Sequence, residues 1–195
     1  MINRWQITAL AVLAVGTAVF IEWWHTSAIH FGVWLRSLMA AAVIGAIVTA
    51  FEKYLWRWQW LQGWFVHRPL IDGAWTVQIT PLAIDPSIGK PRSRRTYRYS
   101  VTQTYSTLFV RMDDGPESES ESITADLRPL GDGSFELIAT YRSVPRAKVR
   151  SRSNIHFGTV RLRVNGDKML GSYWTDQKTH GEVEAVRIAT TERTA

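Results

Sequence analysis

GAWTVQIT, residues 73 to 80, alternates strictly. Trp75, Val77 and Ile79 fall on one face and Thr76, Gln78 and Thr80 on the other. A period of two marks a half-buried strand, because successive side chains of a strand point to opposite sides. The pattern returns at about 95–103, 107–112, 119–128, 134–142, 155–164, 168–176 and 181–189. Asp114-Gly115, Gly131-Asp132-Gly133 and Asn165-Gly166-Asp167 supply turn chemistry between several of these segments. No helical periodicity interrupts them. Eight short strands in roughly 120 residues predict an eight-stranded antiparallel up-and-down β-barrel, whose interior can hold one small ligand. A β-sandwich is the alternative.

The inward faces then become legible. They carry Tyr97, Tyr99, Val101 and Gln103 on one strand and Phe135, Leu137, Ala139 and Tyr141 on another. His156 and Gly158 run in phase with Val160, Leu162 and Val164, and the next strand turns inward either Tyr173 and Thr175 or Trp174 and Asp176. In PESESES (116–122) the glutamates read as an exposed rim, leaving Ser118, Ser120 and Ser122 to turn inward. A satisfied core Tyr, His or Gln is the ordinary reading of any one of these residues. Several at barrel-wall positions together point to a ligand site with an apolar wall and a few convergent polar groups. Gly73 and Trp75 form a G-x-W that resembles the opening of lipocalin barrels. Two basic clusters lie in loops: Lys90, Arg92, Arg94 and Arg95, then Arg142, Arg146, Lys148, Arg150 and Arg152. They suit phosphates, an anionic leaflet or plain solvation.

The N-terminal third is a different chemistry. Of ten tryptophans, eight lie between Trp5 and Trp64. Residues 1–68 hold five Lys/Arg and two Glu, against eighteen Lys/Arg and fifteen Asp/Glu in residues 69–195. Residues 5–21 carry no charge, and 37–51 are uncharged between Arg36 and Glu52. Extended to Val33, the second run is about 19 residues, or roughly 28 Å of helix, close to the hydrocarbon thickness of a bilayer. A transmembrane helical hairpin over residues 1–53 is the expectation, with a cleaved signal peptide as the alternative for the first run. Arg4 precedes the first span and Lys53, Arg57 and Arg68 follow the second, against Arg36 alone between them, which places both termini and the barrel in the cytoplasm of a multi-pass inner-membrane protein. Ser37, Ala41, Gly45 and Thr49 form a small-residue strip suited to helix association.

YLWRWQWLQGWF (54–65) fits either a base-stacking platform or a belt at the bilayer edge. Only Lys53 and Arg57 lie near it, so the belt is preferred and residues 54–68 are expected to form an aromatic interfacial segment. If the second helix continues past Phe51, Trp56, Trp60 and Trp64 share one face. The barrel domain then spans 69–195.

The net charge of +6 favours an anionic partner without naming one, and the absence of cysteine excludes disulfides, thiolate metal sites and a cysteine nucleophile. No phosphate loop, metal-binding spacing or nucleophile–base constellation is present, so neither an enzyme nor a metal or cofactor is expected. No feature calls for a DNA or RNA polymer.

Across nearly the whole chain the sequence resembles the two-transmembrane β-barrel effectors of bacterial CBASS anti-phage systems, which are associated with cGAS/DncV-like nucleotidyltransferases (CD-NTases). The resemblance is carried by the paired spans, the G-x-W, Gln103-Thr104, the serine alternation at 118–122, and Tyr141 with Pro145 close behind. Its most specific part is HFGTVRLRV (156–164) followed by GSYWTD (171–176) and Gly181. The chain departs from the family pattern at Phe157, where an arginine follows the histidine, and at Gln177–Lys178, where the pattern has a basic residue. The resemblance implies a receptor for a cyclic dinucleotide made by a CD-NTase. Binding would trigger homo-oligomerisation, inner-membrane disruption and abortive infection. Tyr99, Gln103, Ser120, Ser122, Tyr141, His156, Tyr173, Thr175 and Lys178 are the expected ligand contacts. A membrane-tethered lipocalin-like carrier of a lipid is the alternative function.

Overall fold

The structure is a computed structural model of the 195-residue chain and describes residue 12 and residues 15–20, 31–85, 89–113, 115–151 and 153–189. The chain divides into two compact units, Met1–Val66 with Thr104–Ser106, and His67–Gln103 with Thr107–Ala195.

The second unit is the expected barrel. Its strands are β1 (Gly73–Pro81), β4 (Arg95–Gln103), β5 (Leu108–Met112), β6 (Ser118–Pro129), β7 (Phe135–Pro145), β8 (His156–Asn165), β9 (Lys168–Thr175) and β10 (His180–Arg187). They close in the order β1-β10-β9-β8-β7-β6-β5-β4, with antiparallel pairing of β1 to β4 completing the ring. Sequential strands are neighbours throughout, so the topology is up-and-down and leaves no open sheet edge. The alternation missed one element: β2 (Ile84–Asp85) and β3 (Lys90–Pro91), a small ribbon between β1 and β4. At two residues per strand it is too short to show a period.

Inward residues fill one half of the lumen. Trp75, Val77, Val101, Leu108, Leu127, Leu137, Leu162, Val164, Met169, Val183 and Ala185 form one buried cluster with Ile71. Burying apolar area at about 25 cal/mol per Å² makes this cluster the main stabilising element of the barrel. Ile71 precedes β1 and accepts the indole N–H of Trp75 on its carbonyl, 2.9 Å away, so the buried indole is satisfied. The Arg187 guanidinium lies 4.6 Å from the centre of the same ring and donates to the carbonyls of Leu70 and Asp72.

The seam between β5 and β6 is thin. Arg111 pairs with Glu121, and beyond them the β6–β7 register shifts between Ser122 and Thr124. There the Ser122 hydroxyl oxygen accepts the Val110 N–H at 2.9 Å, standing in for a ladder bond. Three residues of the basic clusters meet the glutamate rim, Arg95 with Glu117 at 2.8 Å, Arg146 with Glu119 at 3.7 Å and Arg142 with Glu121 at 2.7 Å, while Arg94 pairs with Glu184 at 3.1 Å. Such exposed pairs contribute about 0–1 kcal/mol each. Arg152 lies outside the described residues.

The first unit contains the helix Phe31–Lys53, about 34 Å long at the helical rise. From Trp34 to Lys53 it is long and apolar enough to cross a membrane, and none of that stretch is buried in protein. Val12 and residues 15–20 are also helical. The rest of the first expected span, and Arg4, Trp5, Trp23 and Trp24, fall outside the described residues. Ala41, Gly45 and Thr49 of the small-residue strip are exposed and Ser37 is half-buried. The Thr49 hydroxyl donates to the Gly45 carbonyl at 2.8 Å.

The helix does not run on through the tryptophans. It stops at Lys53, and two 3-10 turns, Leu55–Arg57 and Gln59–Leu61, follow. Trp56, Leu61 and Val66 are buried together against Phe51 and Tyr105, while Trp58, Trp60 and Trp64 stay exposed. Trp56 therefore does not share an exposed helical face with Trp60 and Trp64. The reason is spacing: residues five apart sit about 140° apart on an α-helix, so burying positions 56, 61 and 66 together requires the chain to leave it. Glu52 reinforces the stop. One of its carboxylate oxygens accepts the Thr104 hydroxyl at 2.6 Å and the Ser106 N–H at 3.0 Å and hydroxyl at 2.5 Å, and its carbonyl accepts the Tyr105 N–H at 3.0 Å.

Candidate functional site

The other half of the lumen, at the end where β4 begins and β7 ends, is built differently. Its inward positions are Tyr97 and Tyr99 on β4, Ser118 and Ser120 on β6, Tyr141 and Ser143 on β7, His156 on β8, and Tyr173 and Thr175 on β9. All but the buried Ser143 are partly exposed. Tyr99 and Tyr173 pack on the apolar cluster and form the floor. Water therefore reaches this half from the mouth, and what it meets is a ring of phenols and hydroxyls.

Two glycines set the tyrosines. In the register Tyr141 faces Gly158, and Tyr173 faces Gly181. A Cβ at Gly158 would come within 2.5 Å of the Tyr141 ring carbon Cζ, and one at Gly181 within 2.8 Å of Tyr173 Cε1. Each ring lies across the bare backbone of the neighbouring strand, an orientation that any larger residue on that strand would block.

Burial first, and then the phenols of Tyr141, Tyr97 and Tyr173, push the Tyr99 hydroxyl well above the ordinary tyrosine range. Burial likewise raises Tyr141, with Tyr173 and Asp176 adding to it, and Tyr173, with Tyr97 adding. These hydroxyls stay neutral and keep a proton to donate. Arg95 stands beside them: it reaches the Tyr97 hydroxyl at 3.5 Å and Glu117 at 2.8 Å, and those two bonds hold its guanidinium firmly protonated, while the charge of Arg92 partly offsets the rise at Tyr173. Flat aromatic faces, neutral donors and arginine charge suit a planar, hydrogen-bonding, anionic ligand. Among the described residues no cluster of acidic or histidine side chains is placed to hold a metal ion.

Residues 66–187 match the family model described as Cap15, cyclic dinucleotide receptor domain. The chain belongs to this family. CD-NTase-associated protein 15 of Staphylococcus schleiferi is 26% identical over 156 residues, covering 80% of this chain and 81% of that protein. The match to the Cap15 receptor domain runs from Val66 to the last residue of β10, so it includes every strand of the barrel and both halves of the lumen.

Within this Cap15 barrel the nine expected contacts separate into groups. Tyr99, Ser120, Tyr141, His156, Tyr173 and Thr175 come together at the mouth half. Ser120 shares a hydrogen bond with Ser143 at 3.0 Å, and His156 Nδ1 lies 3.2 Å from the Asn154 carbonyl. Thr175 is engaged within its own turn, its hydroxyl 2.7 Å from that of Thr179. Lys178 sits exposed in that turn with φ of 60°, near the rim rather than inside. Ser122 is buried, its oxygen holding Val110. Gln103 lies at the opposite end. Its side-chain oxygen accepts the Ile71 N–H at 2.8 Å and its amide donates to the Pro69 carbonyl at 3.0 Å, closing the packed half of the lumen.

Sequence reasoning missed Arg95 and Glu117 as a pair beside the tyrosines. Arg95 read as one member of a loop cluster, yet it is the first residue of β4. The available signal was phase: Arg95 is two residues from Tyr97 and shares its face.

Proposed function

We propose that the mouth half of the barrel binds a cyclic dinucleotide made by a CD-NTase, in the service of CBASS defence. The observation that carries this reading is the set of four inward tyrosines beside Arg95, inside a barrel of the Cap15 receptor family. Tyr97, Tyr99, Tyr141 and Tyr173 offer ring faces to the two bases. Ser120, His156 and Thr175 offer hydrogen bonds to base edges or sugar, and Arg95 a charged partner to one phosphate, with Lys178 at the rim. Ligand binding acts on the membrane only through a difference in affinity between two states of the protein. In the state it favours, the small-residue strip of the Phe31–Lys53 helix meets other copies, and the assembled spans disrupt the inner membrane. The chain is multi-pass, with both termini and the barrel in the cytoplasm.

The lipid-carrier alternative is disfavoured by the packed half. An acyl chain needs a long apolar channel, and Trp75, Leu127, Leu137, Leu162 and Val183 already occupy it.

The test is calorimetric titration of the full chain in detergent with a panel of cyclic dinucleotides. Binding by one of them is expected, with Tyr141→Ala weakening it about tenfold or more, since 1.4 kcal/mol corresponds to a factor of ten. An intact fold that takes up none of the panel would overturn the proposal.

A further inference from the structure

Trp58, Trp60, Trp64 and Phe65 are each at least half exposed, at 50%, 63%, 65% and 58%. Exposure on this scale usually reflects a disordered segment or an absent partner. The segment is ordered. Trp56, Leu61 and Val66 pack beneath it, Gln62 bonds the Trp56 carbonyl at 2.7 Å, and a bridge joins Gln62 to Val66 around Gly63, whose φ is 91°. The exposed rings hold one another in a row. Trp58 lies 6.0 Å from Trp60, Trp60 lies 6.4 Å from Trp64 and Trp64 lies 5.7 Å from Phe65 between ring centres. The indole N–H of Trp64 is bonded to the Trp60 carbonyl, which fixes that pair further.

We infer that this aromatic row is a shelf seated in the headgroup region of the bilayer, a lipid contact separate from the spanning helix. The inference rests on the membrane reading given above. Two observations select lipid over a protein partner. The shelf begins at Tyr54, immediately after the last residue of a helix suited to cross the bilayer, so the chain enters it at the depth of a membrane surface. Its charge is also one-signed: residues 53–71 contain Lys53, Arg57 and Arg68 and no Asp or Glu. Arg68 is buried against Asp126, Arg57 lies over the Trp56 ring, and Lys53 is exposed at the helix end. Amphipathic indole rings beside such cations are what the interface accommodates best.

A folded shelf differs from a frayed helix end in its consequence. Because the rings stand on their own small core, the shelf is carried as one piece, and its seat in the headgroups fixes how the chain leaves the membrane.

The chain has no cysteine, so single-cysteine spin labels at Trp60→Cys and Trp64→Cys are unambiguous. The full-length protein is reconstituted into phosphatidylethanolamine–phosphatidylglycerol vesicles and into phosphatidylcholine vesicles. Label collisions with membrane-dissolved oxygen and with an aqueous nickel chelate are compared, an Asn165→Cys label in a barrel turn serving as the aqueous reference. The expected result is an oxygen-to-nickel ratio severalfold above the reference at both shelf sites, rising further with the anionic lipid. A ratio equal to the reference in both lipids overturns the inference. So does protection from both reagents, which would mean that a second copy or another protein surface covers the shelf. Cyclic dinucleotide titration of the same vesicles keeps the two readings apart. Labels at interfacial depth without ligand binding would sink the receptor reading alone, and ligand binding with labels in water would sink the shelf alone.

Discussion

At position 158 the absence of a side chain decides where an aromatic ring goes. Gly158 opposes Tyr141, and an added methyl would sit 2.5 Å from the ring, closer than carbon atoms approach. Gly158→Ala should therefore displace Tyr141, costing about 1–3 kcal/mol of stability by overpacking. Ligand affinity should drop about tenfold or more, since 1.4 kcal/mol corresponds to that factor. Denaturation and titration of the same variant check both parts. Gln103 predicts the opposite division. Gln103→Leu orphans the Ile71 N–H in a fully buried setting, a loss of about 1–3 kcal/mol. Its affinity for ligand, measured on the folded fraction, should stay unchanged, because the amide belongs to the packed half. A weakened affinity with full stability would contradict that assignment.

At the scale of elements, the end of the apolar helix is set by side chains. Glu52 lies in the last turn, where a carboxylate opposes the helix dipole. The donors from Thr104 and Ser106 on its carboxylate offset that opposition. Glu52→Ala should lower the melting temperature more than Glu52→Gln, which keeps an acceptor oxygen and drops the charge. Thermal melts of both variants in detergent would show the order, and equal losses would argue that the bonds contribute nothing. The β5–β6 seam is the weak place in the barrel, with the Ser122 hydroxyl covering a gap left by the register shift. Amide exchange at β5 should be faster than at β8, which is laddered on both sides.

For the whole molecule, the buried phenols make alkaline pH a probe of the fold. Tyr99 and Tyr141 are raised above the ordinary value of 10.0 in the folded state, so the folded chain holds protons that the unfolded chain releases. Their contribution is fully present below the unfolded value and is lost as pH rises through it towards the folded one. Melting temperature should hold steady up to that value and fall above it. The fall should be shallower in Tyr99→Phe, which removes one titrating group. A Tyr99→Phe curve parallel to the wild type would refute the linkage.

The eight barrel strands, most of their inward faces and the apolar helix are legible in the sequence. Alternation at 73–80 and 95–103 and the uncharged run at 37–51 are local patterns, and local backbone geometry fixes which side each residue takes. The sequence also placed Tyr99 and Tyr141 in the lumen correctly, but left open which face of β9 turns inward; the structure turns Tyr173 in and leaves Trp174 exposed. What the sequence did not contain was depth along the barrel. Gln103 and Tyr99 share a face of one strand, yet one closes the packed half and the other floors the open half. Only the hydrogen-bonded register of β4 against β1 and β5 assigns those heights. Trp56 and Trp60 show the same limit at shorter range. Tryptophan spacing alone puts them together on a helical face, but burying Trp56 with Leu61, Val66 and Tyr105 lowers the free energy more than continuing the helix does. The contribution of Tyr105 comes from a loop some fifty residues further along the chain, which no local pattern registers.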